Sequence, residues 1–356
     1  MTTGARLRLL AWTALLGSTG GLCNVPVFRY ALERWPASPY EAVLFHRGPL
    51  PPETEALLRE IEASPANLVV ERADVGGTLE GSLRDLWKGQ KDPPLPWMVV
   101  RFPMAEEGIP PAWAGRPEAG PLRALIDSPA RQEIVRRLVR GDSAVWLLVE
   151  CGDPGQDEAA ARLLGTQLAE LEKTIRLPEC DPDEMPLLSD VPLRIAFSVL
   201  RLSRGDPAEK EFLGMLSRAG GDLAEGKRPV ALPIFGRGRA LWPLSGERLC
   251  AEEIADTAEF IAGPCSCQVK EMNPGLDLLF KADWEELLSS PAPGEAVAPA
   301  APPPASPGME APAPGPFLWI GLGALAGLIL LAGAVLLLRG LRSPGAGGPP
   351  GPRSAP

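Results

Sequence analysis

Residues 317–338 contain no charged side chain, and that run constrains the chain more than any other feature. At about 1.5 Å per residue, a helix of this length covers roughly 33 Å, enough to cross the hydrocarbon core of a bilayer. Arg339 and Arg342 follow it, whereas residues 291–316 before it carry no Lys or Arg, only Glu295 and Glu310. The positive-inside rule therefore predicts one transmembrane helix, a cytoplasmic tail over 339–356 and a body outside the cytoplasm. The N-terminus agrees. Arg6 and Arg8, an apolar stretch over 9–16 and small residues over 17–21 read as a signal peptide, 1–21, cleaved after Gly20 or Gly21. Cys23 permits a lipidated start instead, although Leu22 stands where such signals have Gly, Ala or Ser. Residues 291–316 hold 10 prolines and 8 alanines. That composition builds no core and predicts an extended spacer between body and membrane.

The body is long enough for two ordinary domains. Five of the 35 basic and two of the 45 acidic residues lie outside it, so residues 24–290 carry a net charge of −13. No basic patch interrupts this balance, which argues against nucleic acid as a partner. His46 is the only histidine. Zinc hydrolase, serine-triad and histidine-relay chemistry need more residues of that kind or need this one, and no HExxH, GxSxG, P-loop or GxGxxG pattern is present. No cofactor is expected.

Strand and helix signals alternate along the body. Residues 41–46, 68–70 and 97–102 read as strands, with helical spacing over 53–62, a short helix over 79–87 and another after Ser128-Pro129, where Ser is expected to cap the helix. The order then repeats. Residues 145–149 form an apolar strand, and Leu164, Leu168, Leu171 and Ile175 share one face of a long helix over 157–175. A loop rich in proline and acidic residues covers 178–192. A strand over 193–202, a helix opened by Asp206-Pro207, a strand after Pro229, a Gly236-Arg237-Gly238 turn, a return strand and a helix over 251–262 complete the body. This alternation predicts an α/β fold, a mixed sheet with helices on both faces.

The second run, about 142–262, resembles the thioredoxin fold: strand, helix, strand, helix, then Pro229, a strand ending in Phe235, a glycine turn, an antiparallel strand and a final helix. The first run resembles it less completely. Pro96 precedes a strand as Pro229 does, but no fourth strand is evident after Phe102. The resemblance implies two tandem thioredoxin-like domains, 24–141 and 142–290, with Pro96 and Pro229 as cis-proline positions. It also implies a CxxC dithiol at the end of each first strand, where a helix N-terminus lowers a thiol pKa. Those places read His46-Arg47-Gly48-Pro49 and Cys151-Gly152-Asp153-Pro154. Neither holds the pair. Cys151 is the one thiol left for such chemistry, with Asp153 and Asp157 nearby to make it less reactive. His46 and Arg47 are the corresponding ligand-orienting candidates in the first run.

Six cysteines in an exported body suggest disulfides. Cys265 and Cys267 are either paired to partners such as Cys23, Cys180 or Cys250, a local redox pair, or two thiolates for a soft metal such as Cu(I). Residues 23–35 and 263–270 resemble segments of a set of exported bacterial proteins of unknown function, and that resemblance suggests a bridge from Cys23 to the Cys265-Ser266-Cys267 group. The expectation is a single-pass membrane protein whose periplasm-facing body is a non-catalytic interaction module for a membrane or periplasmic protein. Trp113 in its Pro/Gly-rich loop is a possible aromatic anchor, although loop packing is its commoner role. The alternatives are a thiol–disulfide protein using Cys151 or the Cys265/Cys267 pair, and a soft-metal carrier.

Overall fold

The computed structural model describes residues 25–104, 109–179, 185–265 and 268–289. The signal peptide, spacer, uncharged run and tail inferred above lie outside these residues, as do Cys23, Cys180 and Cys267. Among the described residues no helix is long and apolar enough to cross a membrane. In chain order the elements are α1 (Val27–Arg34), β1 (Tyr40–His46), α2 (Pro52–Glu62), β2 (Leu68–Asp74), α3 (Gly81–Lys88), β3 (Trp97–Arg101), β4 (Trp113–Gly115), α4 (Ala119–Ile126), α5 (Pro129–Val139), β5 (Ala144–Val149) and α6 (Pro154–Thr174). There follow β6 (Phe197–Leu202), α7 (Lys210–Arg218), α8 (Gly221–Glu225), β7 (Val230–Phe235), β8 (Arg239–Ala240), β9 (Leu244–Ser245), α9 (Ala251–Ala262), β10 (Leu276–Asp277) and α10 (Trp284–Ser289).

Two mixed sheets result. The first has the order β2-β1-β3-β4, with β1 parallel to β2 and β3 antiparallel to both β1 and β4. The second has the order β10-β8-β7-β5-β6, with β9 also on β7. Its β5 is parallel to β6 and antiparallel to β7. This strand order, with helices on both faces, is consistent with thioredoxin-like folds. The fourth strand of the first sheet, missed in the sequence, is β4: only three residues long, it sits inside a Pro/Gly-rich loop and offers no alternation to read.

Burial explains the strands. Every residue of β5 is buried, with Val145, Leu147 and Val149 facing one core and Ala144, Trp146 and Leu148 the other. A strand covered on both faces needs apolar residues throughout. In β1 the same alternation sends Tyr40, Ala42 and Leu44 toward α2 and α4, and Val43 and Phe45 toward α3.

The expected boundary at 141/142 does not follow the packing. Helix α1 contributes Val27, Phe28, Tyr30 and Ala31 to the second sheet's core, beside α6 and α9. Ala130, Ile134 and Leu138 of α5 pack against β5. In the extended stretch after β10, Leu278 and Phe280 enter the second sheet's core while Leu279 enters the first. Both sheets belong to one compact unit. A polar knot reinforces this. The Asp277 carboxylate accepts the Ser38 N–H at 2.7 Å and Arg239 Nη1 at 3.0 Å, and it also pairs with Lys270. The Tyr40 hydroxyl donates to the Asp277 carbonyl at 3.1 Å. Hydrogen bonds of this kind repay the desolvation of buried charge.

Of two local expectations, one needs correction. Ser128 sits at the N-cap of α5 but makes no capping bond. Glu209, buried at the entry to α7, takes its place, and Oε1 accepts the Ala130 N–H at 2.6 Å. A carboxylate there also answers the partial positive charge of the helix start. The Gly236-Arg237-Gly238 turn forms as expected, and its glycines are demanded by contact: a Cβ on Gly238 would lie 2.5 Å from the Phe280 ring. Between them Arg237 donates to the Leu32 carbonyl at 2.8 Å and the Glu33 carbonyl at 3.2 Å, closing the C-terminal end of α1.

Candidate functional site

The two strand ends at which the thioredoxin resemblance implies a dithiol are built differently. After β1 the chain turns through Gly48, at φ +64°, and enters α2 through Pro51 and Pro52. Proline has no N–H, so this helix start presents fewer donors than most. The His46 side chain bends back, with Nδ1 2.8 Å from the Gly48 carbonyl, so Nδ1 carries the proton. His46 thus serves its own loop.

Beside this helix start, the Leu95–Pro96 peptide is cis. It is the one cis bond among the described residues, so the bond before Pro229 is trans, correcting the expectation there. Trans is the ordinary state of an X–Pro bond. Leading into Pro96, Lys91 and Asp92 hold left-handed backbone at φ 55° and 56°, a conformation that costs non-glycine residues about 1–3 kcal/mol each. Gln90 steadies the loop, its Oε1 accepting Trp97 Nε1 at 3.2 Å. Between α2, Pro96 and the segment that follows β4 lies an open cleft of about 540 Å³, lined by Pro51, Thr54, Leu57, Pro96, Arg116 and Pro117 among others. One wall is set by Arg123, which donates to Glu60 at 2.7 and 2.6 Å and holds its carboxyl below the usual range. The sequence flagged Pro96 but not Arg116 or Pro117, because their arrival depends on the short β4.

At the second strand end, Asp153 caps α6 and accepts the Gly155 and Gln156 N–H groups at 2.9 and 3.0 Å. Asp157, buried one turn into the helix, folds back: Oδ1 accepts the Cys151 N–H at 2.8 Å and Oδ2 the Gly152 N–H at 2.9 Å. The Cys151 and Gly152 amides are therefore spent on a carboxylate, and only the Asp153 amide is left to pull the thiol down. Burial pushes the half-buried Cys151 thiol up, and the hydrogen bond and charge of Asp157 push it further. A thiol in that setting is held protonated and is a poor nucleophile.

The remaining candidates separate. Trp113 is no exposed anchor: it is buried, and its Nε1 donates to Glu211 Oε2 at 2.8 Å, pinning β4 to α7. Cys250 sits partly exposed at the start of α9, and Cys265 is buried in the second sheet's core. Around Cys265, residues 25–27 run antiparallel to 263–265, with Pro26 bridged to Pro264 and the Cys265 N–H donated to the Val25 carbonyl at 2.9 Å. Among the described residues no group of three or more His, Cys, Asp or Glu is placed to hold a metal ion.

No family model matches the chain, and no curated protein matches it. Among solved structures, the crystal structure of full-length ERdj5 is similar at 10% sequence identity over 70% of this chain, with a TM-score of 0.21. The chain covers 34% of that protein's length. So slight a likeness carries no argument, and the strand order stands on its own.

Proposed function

We propose that this chain is a membrane-anchored, extracytoplasmic interaction module, non-catalytic, on two thioredoxin-like units. The uncharged run 317–338 and the basic residues after it support the anchor and its orientation. Repetition of one strand order in both sheets supports the two units. The observation that carries the reading is the state of the two strand ends. One has no thiol and borders an open cleft beside Pro96; the other has a single thiol, raised by burial and by Asp157, which also occupies the Cys151 and Gly152 amides. What such a cleft retains is the shape to receive a segment of another protein.

The test joins two measurements on the full-length protein in native membranes. A photo-crosslinking residue at Thr54, in the cleft, should capture a discrete protein partner, whereas one at Arg162 on the outer face of α6 should not. The same preparation should show no reduction of a disulfide substrate. Turnover that disappears in Cys151→Ser would overturn the reading in favour of redox chemistry.

The ladder of 25–27 with 263–265 supports a structural use of the other cysteines. That ladder brings Val25, two residues after Cys23 in the chain, beside Cys265. Non-reducing peptide mapping should recover the Cys23 peptide joined to the one containing Cys265 and Cys267. A free or lipid-bearing Cys23 would remove this part of the proposal.

A further inference from the structure

The outer edge of the first sheet is an open row of backbone hydrogen-bonding groups. Strand β2 ends that sheet, with β1 on its inner side only. The Tyr40 N–H donates to the Asn67 carbonyl and the Val75 N–H to the His46 carbonyl, both at 2.8 Å. In a parallel pair these bonds fix the alternation: residues 67, 69, 71, 73 and 75 face β1, and Leu68, Val70, Arg72 and Asp74 turn their N–H and C=O groups outward. The segment after β10 covers only the strand's beginning, through the Ala66–Lys281 bridge and the Asn67 N–H donated to the Phe280 carbonyl at 3.3 Å. The Leu68 N–H turns back to Ala66, and the Asp74 carbonyl accepts from Gly77. Among the described residues, the outward groups of Val70 and Arg72 meet no partner.

The equivalent strand of the second sheet is treated otherwise. There β6 is the edge, and its outward groups are stoppered by side chains: the Phe197 N–H donates to Glu172 Oε1 at 2.6 Å, and the Val199 carbonyl accepts Arg137 Nη1 at 3.1 Å. Folded proteins usually close their edges in some such way. On β2 the one long cation, Arg72, is drawn back onto α2 by Glu62 at 2.7 Å and Glu55 at 3.7 Å, and so leaves the edge uncovered. Val69 stands 57% exposed beside it.

We infer that β2 is a docking edge that receives an extended segment of another protein, adding one strand to the first sheet. A row of unpaired N–H and C=O groups is satisfied best by extended backbone. A second copy of this chain fits poorly. Two β2 strands paired about a two-fold axis must match outward residues with outward residues. Centring the pair on Glu71 sets that carboxylate against its twin; centring on Arg72 does the same for the guanidinium. Centring on Val70 brings the far end onto Ala66, already held by Lys281. The side chains on the α3 face are Val69, Glu71 and the neighbouring Glu41, with Arg101 paired to Glu41 at 3.2 Å. The occupant is therefore a strand with a basic residue opposite Glu71 and an apolar one opposite Val69, two positions apart on the same face. This deepens the interaction reading given above, but on a surface separate from the Pro96 cleft.

The test uses the full-length protein in detergent micelles and two ten-residue peptides with Thr at every second position: between the Thr residues the Lys–Val peptide holds Lys and Val in turn, and the Glu–Val peptide holds Glu and Val in turn, so that both residue types share one face. The Lys–Val peptide should slow amide exchange at Val70 and Arg72 at least tenfold and bind at least tenfold more tightly than the Glu–Val peptide. Val70→Pro removes an outward donor without touching the β1 ladder and should abolish binding with the circular dichroism spectrum unchanged. Glu71→Lys, a surface change, should invert the peptide preference. Exchange already slow at both amides in the free monomer, a preference unmoved by Glu71→Lys, or a dimer lost in Val70→Pro would each overturn the inference. Crosslinking from Thr54 is independent of all these outcomes, so the cleft and the edge fail or succeed separately.

Discussion

At the scale of single residues, Asp157 decides what the second strand end can do. Its carboxylate holds two amides and lies close to a thiol, and each effect disfavours a negative sulfur. Replacing it by Asn keeps one acceptor and removes the charge. The sign follows directly: a thiol whose pKa is raised by a neighbouring anion falls back when the anion is neutralised, so the thiolate fraction near neutral pH rises. Alkylation of Cys151 by iodoacetamide at pH 7.5 should then quicken by about threefold or more, while stability drops by about 1–2 kcal/mol from the weakened amide bonds. Cys250, far from this change, provides the internal reference. Equal rates in Asp157→Asn and the parent would mean that burial alone holds the thiol up.

At the scale of elements, α5 shows how a helix can be read correctly and explained wrongly. Its apolar spacing was plain, and so was Pro129 at the first turn. Its cap was not, because Glu209 stands 79 residues away in sequence. The same limit hid α1. Val27–Arg34 carries Arg29 and Glu33, which by type belong on a surface, yet both are buried, with Arg29 donating to the Val191 carbonyl at 2.7 Å and Glu33 accepting the Ser189 N–H at 3.0 Å. Strand β5 was legible because burial on both faces removes every polar residue; β4 was not, because three residues leave no pattern. The surface of α5 yields a pH prediction. Hydrogen bonds from Arg136, then Arg137, hold the Glu133 carboxyl at about 2. A carboxylate lowered by folding adds stability that is complete above its unfolded pKa, about 4.3, and disappears as pH falls toward 2. Because the group is partly exposed, about 0.5–1 kcal/mol is at stake. Urea denaturation should find Glu133→Gln less stable than the parent at pH 6, with the gap closed by about that amount at pH 2.5. A gap of equal size at both values would assign the loss to packing.

At the scale of the whole molecule, repetition of strand order suggests two folding units, and the packing argues for one. Cutting at 141/142 would strip α1 and α5 from the second sheet's core and Leu279 from the first. It would also part Ser38 and Tyr40 from Asp277, whose charge is shared with Arg239 and Lys270. Buried charges deprived of one partner cost about 3–5 kcal/mol, a large share of a typical domain's net stability of about 5–15 kcal/mol. Each half would thus lose apolar cover and compensated charge together. The expected consequence is one cooperative heat-absorption peak for residues 24–290, with calorimetric and van't Hoff enthalpies in agreement, and no stable fold in either half expressed alone. Two separable peaks, or a folded 142–290 fragment lacking α1, would show that the shared core contributes little and that the repeat in strand order is also a repeat in stability.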